Sequence, residues 1–199
     1  MIHRTANYTA FYVQEPFSES NLGAYATHDF VYYRQLRVWK KSDNSFPFVD
    51  AHEKTYSVRD DSQWSTLCQR LHCRLNLSKN IILFLSSATK NSRALSEEME
   101  YGIKCKGLPV IVLYPEIQSF TMSDPLQKLI SLWRKLPTFC NNIANVATLH
   151  IPYKKHIIEA ALKDKDFQVQ YMTEPGVYYY DDFLNKRQII SSQYIKFYL

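Results

Sequence analysis

The unbroken apolar run Ile81–Leu85, bracketed by Lys79-Asn80 and Ser86-Ser87, constrains this chain more than any other segment. A strand with one wet face alternates apolar and polar residues. A run that is apolar at every position must be covered on both faces, as in the middle of a parallel sheet. A second such run spans Leu108–Tyr114, with its proline near the start, where a strand tolerates one. Between the two, Leu95, Met99 and Ile103 recur at helical spacing from about Ser92 to Lys106, and Gly107 ends the helix. Strand, helix and strand in that order call for a crossover and a parallel pair.

The pattern continues toward both termini. Thr9–Val13 reads as a first strand, closed by Glu15-Pro16. Asp29 stands as the N-cap of a helix over Phe30–Lys41, where Tyr32, Leu36 and Trp39 share a face, and Phe46–Val49 reads as a second strand ending at Asp50. Ser62 caps the next helix, with Trp64, Leu67, Cys68, Leu71 and Leu75 on one side. Further on come a helix at Leu126–Leu136 stopped by Pro137, a strand at Thr148–Ile151, a helix opened by Pro152, and a last strand at Phe167–Tyr171. The expected fold is α/β: a doubly wound, mainly parallel five-stranded sheet with helices on both faces. At 199 residues the chain fits one domain, over 1–175, with a Tyr-rich extension at 176–199 packed on it or extending it.

Composition narrows the function classes. The net charge of +5 is spread along the chain without a basic arm, which gives nucleic-acid binding no support. Cys68, Cys73, Cys105 and Cys140 form no C-x-x-C pair, so reduced thiols in a cytoplasmic protein are expected. No segment approaches the ~18 apolar residues of a membrane span, and Met1–Tyr8 lacks the apolar stretch of a leader. The histidines are scattered and predict no metal site.

In an open doubly wound sheet, ligands gather outside the carboxyl ends of the strands. That rule selects the loop from Gln14 to His28, the loop from Asp50 to Asp61, and the segment Ser86–Glu98. In the last, Ser87 and Thr89 offer hydroxyls, and the following helix carries Glu97, Glu98 and Glu100. At about 100° per residue, Glu98 falls between Leu95 and Met99 at the edge of the buried face, while Glu97 and Glu100 turn outward. Gly102, one turn on, leaves space on the same stripe.

Ser87-Ala88-Thr89, Ser92, Glu98, Gly102 and the strand through Val112 follow one another in an order that resembles the catalytic stretch of TIR domains. There a glutamate follows a serine by six residues and precedes a small residue by four, as Glu98 does between Ser92 and Gly102. With Phe48-Val49-Asp50-Ala51 at the second strand's end, the chain is most similar to TIR-like proteins of the bacterial Thoeris anti-phage system, of the ThsB type. Ala94-Leu95 stands where such domains carry a Trp-Cys pair, and Val13 where they carry a strand serine.

The resemblance implies that NAD is the substrate, with no separate cofactor, and that Glu98 is the catalytic carboxylate. The reaction would release nicotinamide and yield an ADP-ribose-derived signal, cyclic or conjugated, that diffuses to an effector. Gln14, Phe17, Asp50, Ser87 and Thr89 border the same crevice as candidate substrate contacts, and a homo-oligomer is expected. Two other readings stand beside this one: a non-catalytic TIR-like assembly module, and a nucleoside deoxyribosyltransferase-like enzyme using the same carboxylate on a sugar.

Overall fold

Both apolar runs are strands in the computed structural model: Ser78–Phe84 (β2), buried at every position but Lys79, and Val110–Tyr114 (β3), buried throughout. The structure describes residues 4–13, 28–52, 64–120, 126–181 and 186–190. Within them, Ala6–Ala10 (β1) pairs parallel with β2, β2 with β3, β3 with Ala147–Pro152 (β4), and β4 with Gly176–Asp181 (β5). Lys186–Ile190 (β6) returns antiparallel along β5, so the five parallel strands gain a reversed sixth at one edge.

Helices cover both faces, as the doubly wound expectation requires. Successive strand residues point to opposite sides. Ile81, Leu83, Val110 and Val112 therefore meet Trp64–Asn76 (α2), Arg93–Met99 (α3), Leu126–Trp133 (α4) and Pro137–Cys140 (α5). Ile82, Phe84, Ile111 and Leu113 meet His28–Ser42 (α1) and Lys155–Lys163 (α6). Each such Ile, Leu or Phe contributes roughly 1.5–3 kcal/mol through its removal from water.

Several boundaries differ from the sequence reading, each for a local reason. The first strand lies earlier, at Ala6–Ala10, because its polar residues are accommodated inside: Asn7 Nδ2 donates to Asn80 Oδ1 at 2.8 Å, and Asn80 Nδ2 to the Phe167 carbonyl at 2.9 Å. Phe46–Val49 shrinks to a single parallel bridge between Asp50 and Asn7. Pro47 has no N–H to offer a ladder, and the Val49 N–H is taken by the Asn7 side-chain oxygen at 2.8 Å. Asp29 is not a cap but lies buried in the first turn of α1, accepting from Ser86 Oγ at 2.8 Å and Thr89 Oγ1 at 3.2 Å. Pro152 ends β4 instead of opening α6, and Pro137 both stops α4's region and starts the one-turn α5. Lys165–Phe167 is a 3-10 turn, so no strand forms over Phe167–Tyr171; the sheet is extended by β5 and β6 instead. Ser62 lies outside the described residues.

One polar group is sealed in the core. Trp133 Nε1 donates to the Tyr114 hydroxyl at 2.6 Å, so the Tyr114 proton is directed to His150 Nδ1, also at 2.6 Å. His150 is left to donate from Nε2 toward Thr148 Oγ1 at 3.2 Å, and burial pushes its pKa down to about 3. This histidine is a neutral structural part, not a solvent-facing base.

Candidate active site

α3 starts where Ser92 Oγ accepts the Leu95 N–H at 3.2 Å, an N-cap that fixes the helix phase. That phase carries Leu95, Glu98 and Met99 inward together. Glu97 instead meets His72 Nε2 at 2.8 Å, and Glu100 pairs with Lys104 at 2.7 Å, both near water. After Met99 the helix widens into a π-helix over Glu100–Cys105, closing on Gly107 at φ +61°. Gly102 does not clear room for the carboxylate, as the spacing suggested. A Cβ there would stand 2.5 Å from Ile81 Cδ1, so the glycine lets the helix lie close on β2.

Glu98 is 9% exposed and faces β1, where the Tyr8 hydroxyl donates to its Oε1 at 2.7 Å. Its other oxygen, Oε2, is buried with no partner among the described residues. Burial raises the carboxyl to about pH 8, against the opposing pull of the Tyr8 hydrogen bond and the Arg74 charge. Tyr8 is itself raised, by burial first and then by the Glu98 charge. At neutral pH the free protein thus holds a protonated, half-satisfied acid.

Arg74, from the end of α2, ties this acid to the next strand. Its Nη1 donates to His52 Nδ1 at 3.2 Å, while its Nε is buried without a partner among the described residues. Because Nδ1 accepts, the ring proton sits on Nε2, which donates to the Thr9 carbonyl at 3.0 Å. Burial, reinforced by Arg74, lowers His52 to about 4, so this ring is neutral. The His52 N–H in turn donates to Asp50 Oδ1 at 2.9 Å; Asp50 Oδ2 accepts from Tyr33 at 2.6 Å and lies 3.5 Å from Arg37 Nε. The Tyr8 and His52 rings, 5.0 Å apart, and the Arg74 charge acting on Glu98 join these two sets into one constellation of Glu98, Tyr8, Arg74, His52 and Asp50.

The other expected contacts are placed differently. Asp50 is occupied by its protein donors. Ser87 is exposed and bound to Glu116 through both its hydroxyl and its N–H, the latter at 3.1 Å, while Lys135 Nζ holds its carbonyl at 2.8 Å. Thr89 is buried and shared between the Ser86 N–H at 2.9 Å and Asp29. Ser87 and Thr89 belong to networks that share no residue with that of Glu98. Gln14 and Phe17 lie outside the described residues.

Tyr8 and Arg74 carry no functional expectation from the sequence, and His52, next to Asp50, only that of a titratable but solvated loop histidine. Tyr8 carried a usable signal, since period-two alternation puts it on the same sheet face as Ala10 and under a helix on that side. His52 reads as a solvated loop residue until its neighbours are seen: its ring centroid is 5.0 Å from Tyr8's and 5.9 Å from Tyr33's. Among the described residues no group of His, Cys, Asp and Glu could hold a metal ion, and no helix is long and apolar enough to cross a membrane.

The family model described as Thoeris protein ThsB, TIR-like domain, matches residues 8–119, more than half of the chain. The matched span opens on Tyr8 and contains Asp50, His52, Arg74 and Glu98, so the whole constellation falls inside it. The parallel sheet and its two helical layers agree with that match, and the chain belongs to the ThsB TIR-like domain family, an anti-phage Thoeris-type TIR family.

Proposed function

We propose that this protein cleaves the bond between nicotinamide and ribose in NAD, with Glu98 as the catalytic carboxylate. One observation carries the reading: a buried carboxyl whose Oε2 has no partner among the described residues, within the field of Arg74, whose Nε also has none among them. An unpaired buried polar atom costs on the order of 1–3 kcal/mol, and a substrate that satisfied it would recover that free energy. NAD brings a cationic nicotinamide, and its positive charge would draw Glu98 toward the ionised form.

As the glycosidic bond breaks, its electron pair leaves with nicotinamide, which departs neutral and needs no acid. The ribose left behind is oxocarbenium-like, and a carboxylate fixed by Tyr8 stabilises it without reorganising. Water, a hydroxyl of the same molecule, or a second small molecule then attacks the anomeric carbon and releases a proton. The latter two routes give the cyclic or conjugated ADP-ribose-derived signal that an effector would read.

The test is to incubate wild type and Glu98→Gln with NAD and follow nicotinamide and the adenine-containing product by chromatography and mass. Release by wild type, with at least about a hundredfold loss in the variant, is the expected result. Equal release from both, or none from wild type across protein concentrations, would refute the assignment.

A further inference from the structure

On the outer side of the bridge strand, away from Glu98, the second half of α1 and residues Phe48–Asp50 enclose a groove of about 490 Å³. Among the described residues, Arg34, Arg37, Lys40 and Lys41 line it against a single carboxylate, Asp50. Lys40 is built into the wall, donating to the Asn44 carbonyl at 2.7 Å and the Phe46 carbonyl at 2.9 Å. Arg37 faces Asp50. Arg34 and Lys41 make no hydrogen bond or ion pair among the described residues, and both are exposed. The groove also displays aliphatic surface: Val38 is 61% exposed and Val49 43%.

The floor of this groove is a sheet edge. Val49 and Ala51 turn toward β1: the Val49 carbonyl accepts the Asn7 N–H at 2.6 Å, and the Ala51 N–H donates to the Asn7 carbonyl at 3.1 Å. Alternation then sends the N–H and C=O of Phe48 and Asp50 outward, and no hydrogen bond among the described residues uses them. An edge whose outward groups no described residue uses is a template for an added strand.

We propose that this groove binds an acidic, extended polypeptide segment of a partner protein, which adds as a strand along Phe48–Asp50 and sets acidic side chains against the cations of α1. Arg34 and Lys41 are about 10 Å apart along the helix, the span of about three residues of extended chain. Acidic residues at alternate positions of an added strand recur about every 7 Å on one face, a step the long side chains of Arg34, Arg37 and Lys41 can meet, and aliphatic residues between them, on the other face, would cover Val49. A phosphate ligand fits less well. Its described lining offers no glycine-rich turn or helix start to hold one.

The test uses the full chain and a labelled peptide of about eight alternating glutamate and valine residues, followed by fluorescence anisotropy at low and high salt. Its control carries the same charge but has proline at alternate positions, which removes the strand's donors. The expected result is saturable, salt-sensitive binding of the first peptide. It should weaken at least about tenfold for the proline peptide and for Arg34→Glu/Lys41→Glu, with slowed amide exchange at Phe48 and Asp50 on binding. Both substituted side chains are exposed, so the variant's circular dichroism should match wild type. Equal binding of the two peptides, no loss on charge reversal, no binding, or stronger capture by pyrophosphate or phosphatidylserine vesicles would each overturn the proposal.

Discussion

Glu98→Gln keeps the shape of the side chain and removes its ionisation, so the variant isolates what holding this acid does to the fold. Below pH 4.5, its ordinary value, the carboxyl is protonated in both folded and unfolded chains and adds no pH dependence. As pH rises, the unfolded chain ionises while the folded one keeps its proton until about pH 8. Folding then binds a proton that the unfolded chain has released, and stability falls with pH across that window. Each unit of separation is worth about 1.4 kcal/mol, so wild type is disfavoured by about 3 kcal/mol at pH 7 and about 5 kcal/mol above pH 8. Against a typical total of roughly 5–15 kcal/mol this is a large fraction. The glutamine variant escapes it, apart from a constant offset of about 1–3 kcal/mol because one amide N–H takes the unpaired position of Oε2. Urea unfolding of both proteins at pH 5, 7 and 9 should show the variant gaining on wild type by about 3–5 kcal/mol over the series. Histidine contributions are common to both proteins and cancel. A difference that stays constant from pH 5 to 9 would refute the reasoning, because Glu98 would then not titrate out of its ordinary range.

Other outcomes follow from the same geometry. Tyr8→Phe removes the hydrogen bond that favours the ionised acid, so the stability loss that begins near pH 4.5 should extend to higher pH before levelling off, and NAD turnover at pH 7 should fall; an unchanged pH profile would count against the pair. His150 stays neutral in the fold down to about pH 3, so its share of stability is present above pH 6.5 and is lost as pH falls, by about 2 kcal/mol at pH 5. His150→Phe should flatten that acid limb in unfolding experiments. Gly102→Ala places a methyl against Ile81 in a core without room and should cost about 1–3 kcal/mol, while Ile81→Val, which removes the contacted atom, should relieve much of the loss in the double variant.

The parallel core was legible because β2 and β3 are apolar at nearly every position, a pattern that a buried parallel strand demands and a half-wet one excludes. Glu98 was legible by helical phase, since the run Leu95–Met99 admits only one inward carboxylate. The first strand was misplaced because Asn7 looks like a surface residue, and only the amide relay through Asn80 shows how it is buried. Arg74 was invisible and His52 passed for a solvated loop residue for a related reason: their meaning lies in contacts between residues far apart in sequence, and neither type carries a local signature. Pro47 could have warned that the second strand would be a bare bridge. The bias of Ser87 and Thr89 toward protein partners depends on Glu116 and Asp29, which no spacing rule connects to them.

The π-helix over Glu100–Cys105 has a consequence for the ancestry of this site. A π-turn carries one residue more than an α-turn, so the stretch behaves as an α-helix with a single residue inserted after Met99. Upstream the phase is set for Glu98 against Tyr8; downstream it is set for Gly102 against Ile81. Deleting the half-buried Glu100 would restore a uniform helix and rotate one half by about 100° relative to the other. The shortened helix could keep its acid or its close seat on the sheet, but not both. A relative shorter by one residue here must therefore have lost one of these contacts or rebuilt it with other side chains, and an alignment that closes the gap elsewhere would pair its glutamate with the wrong position.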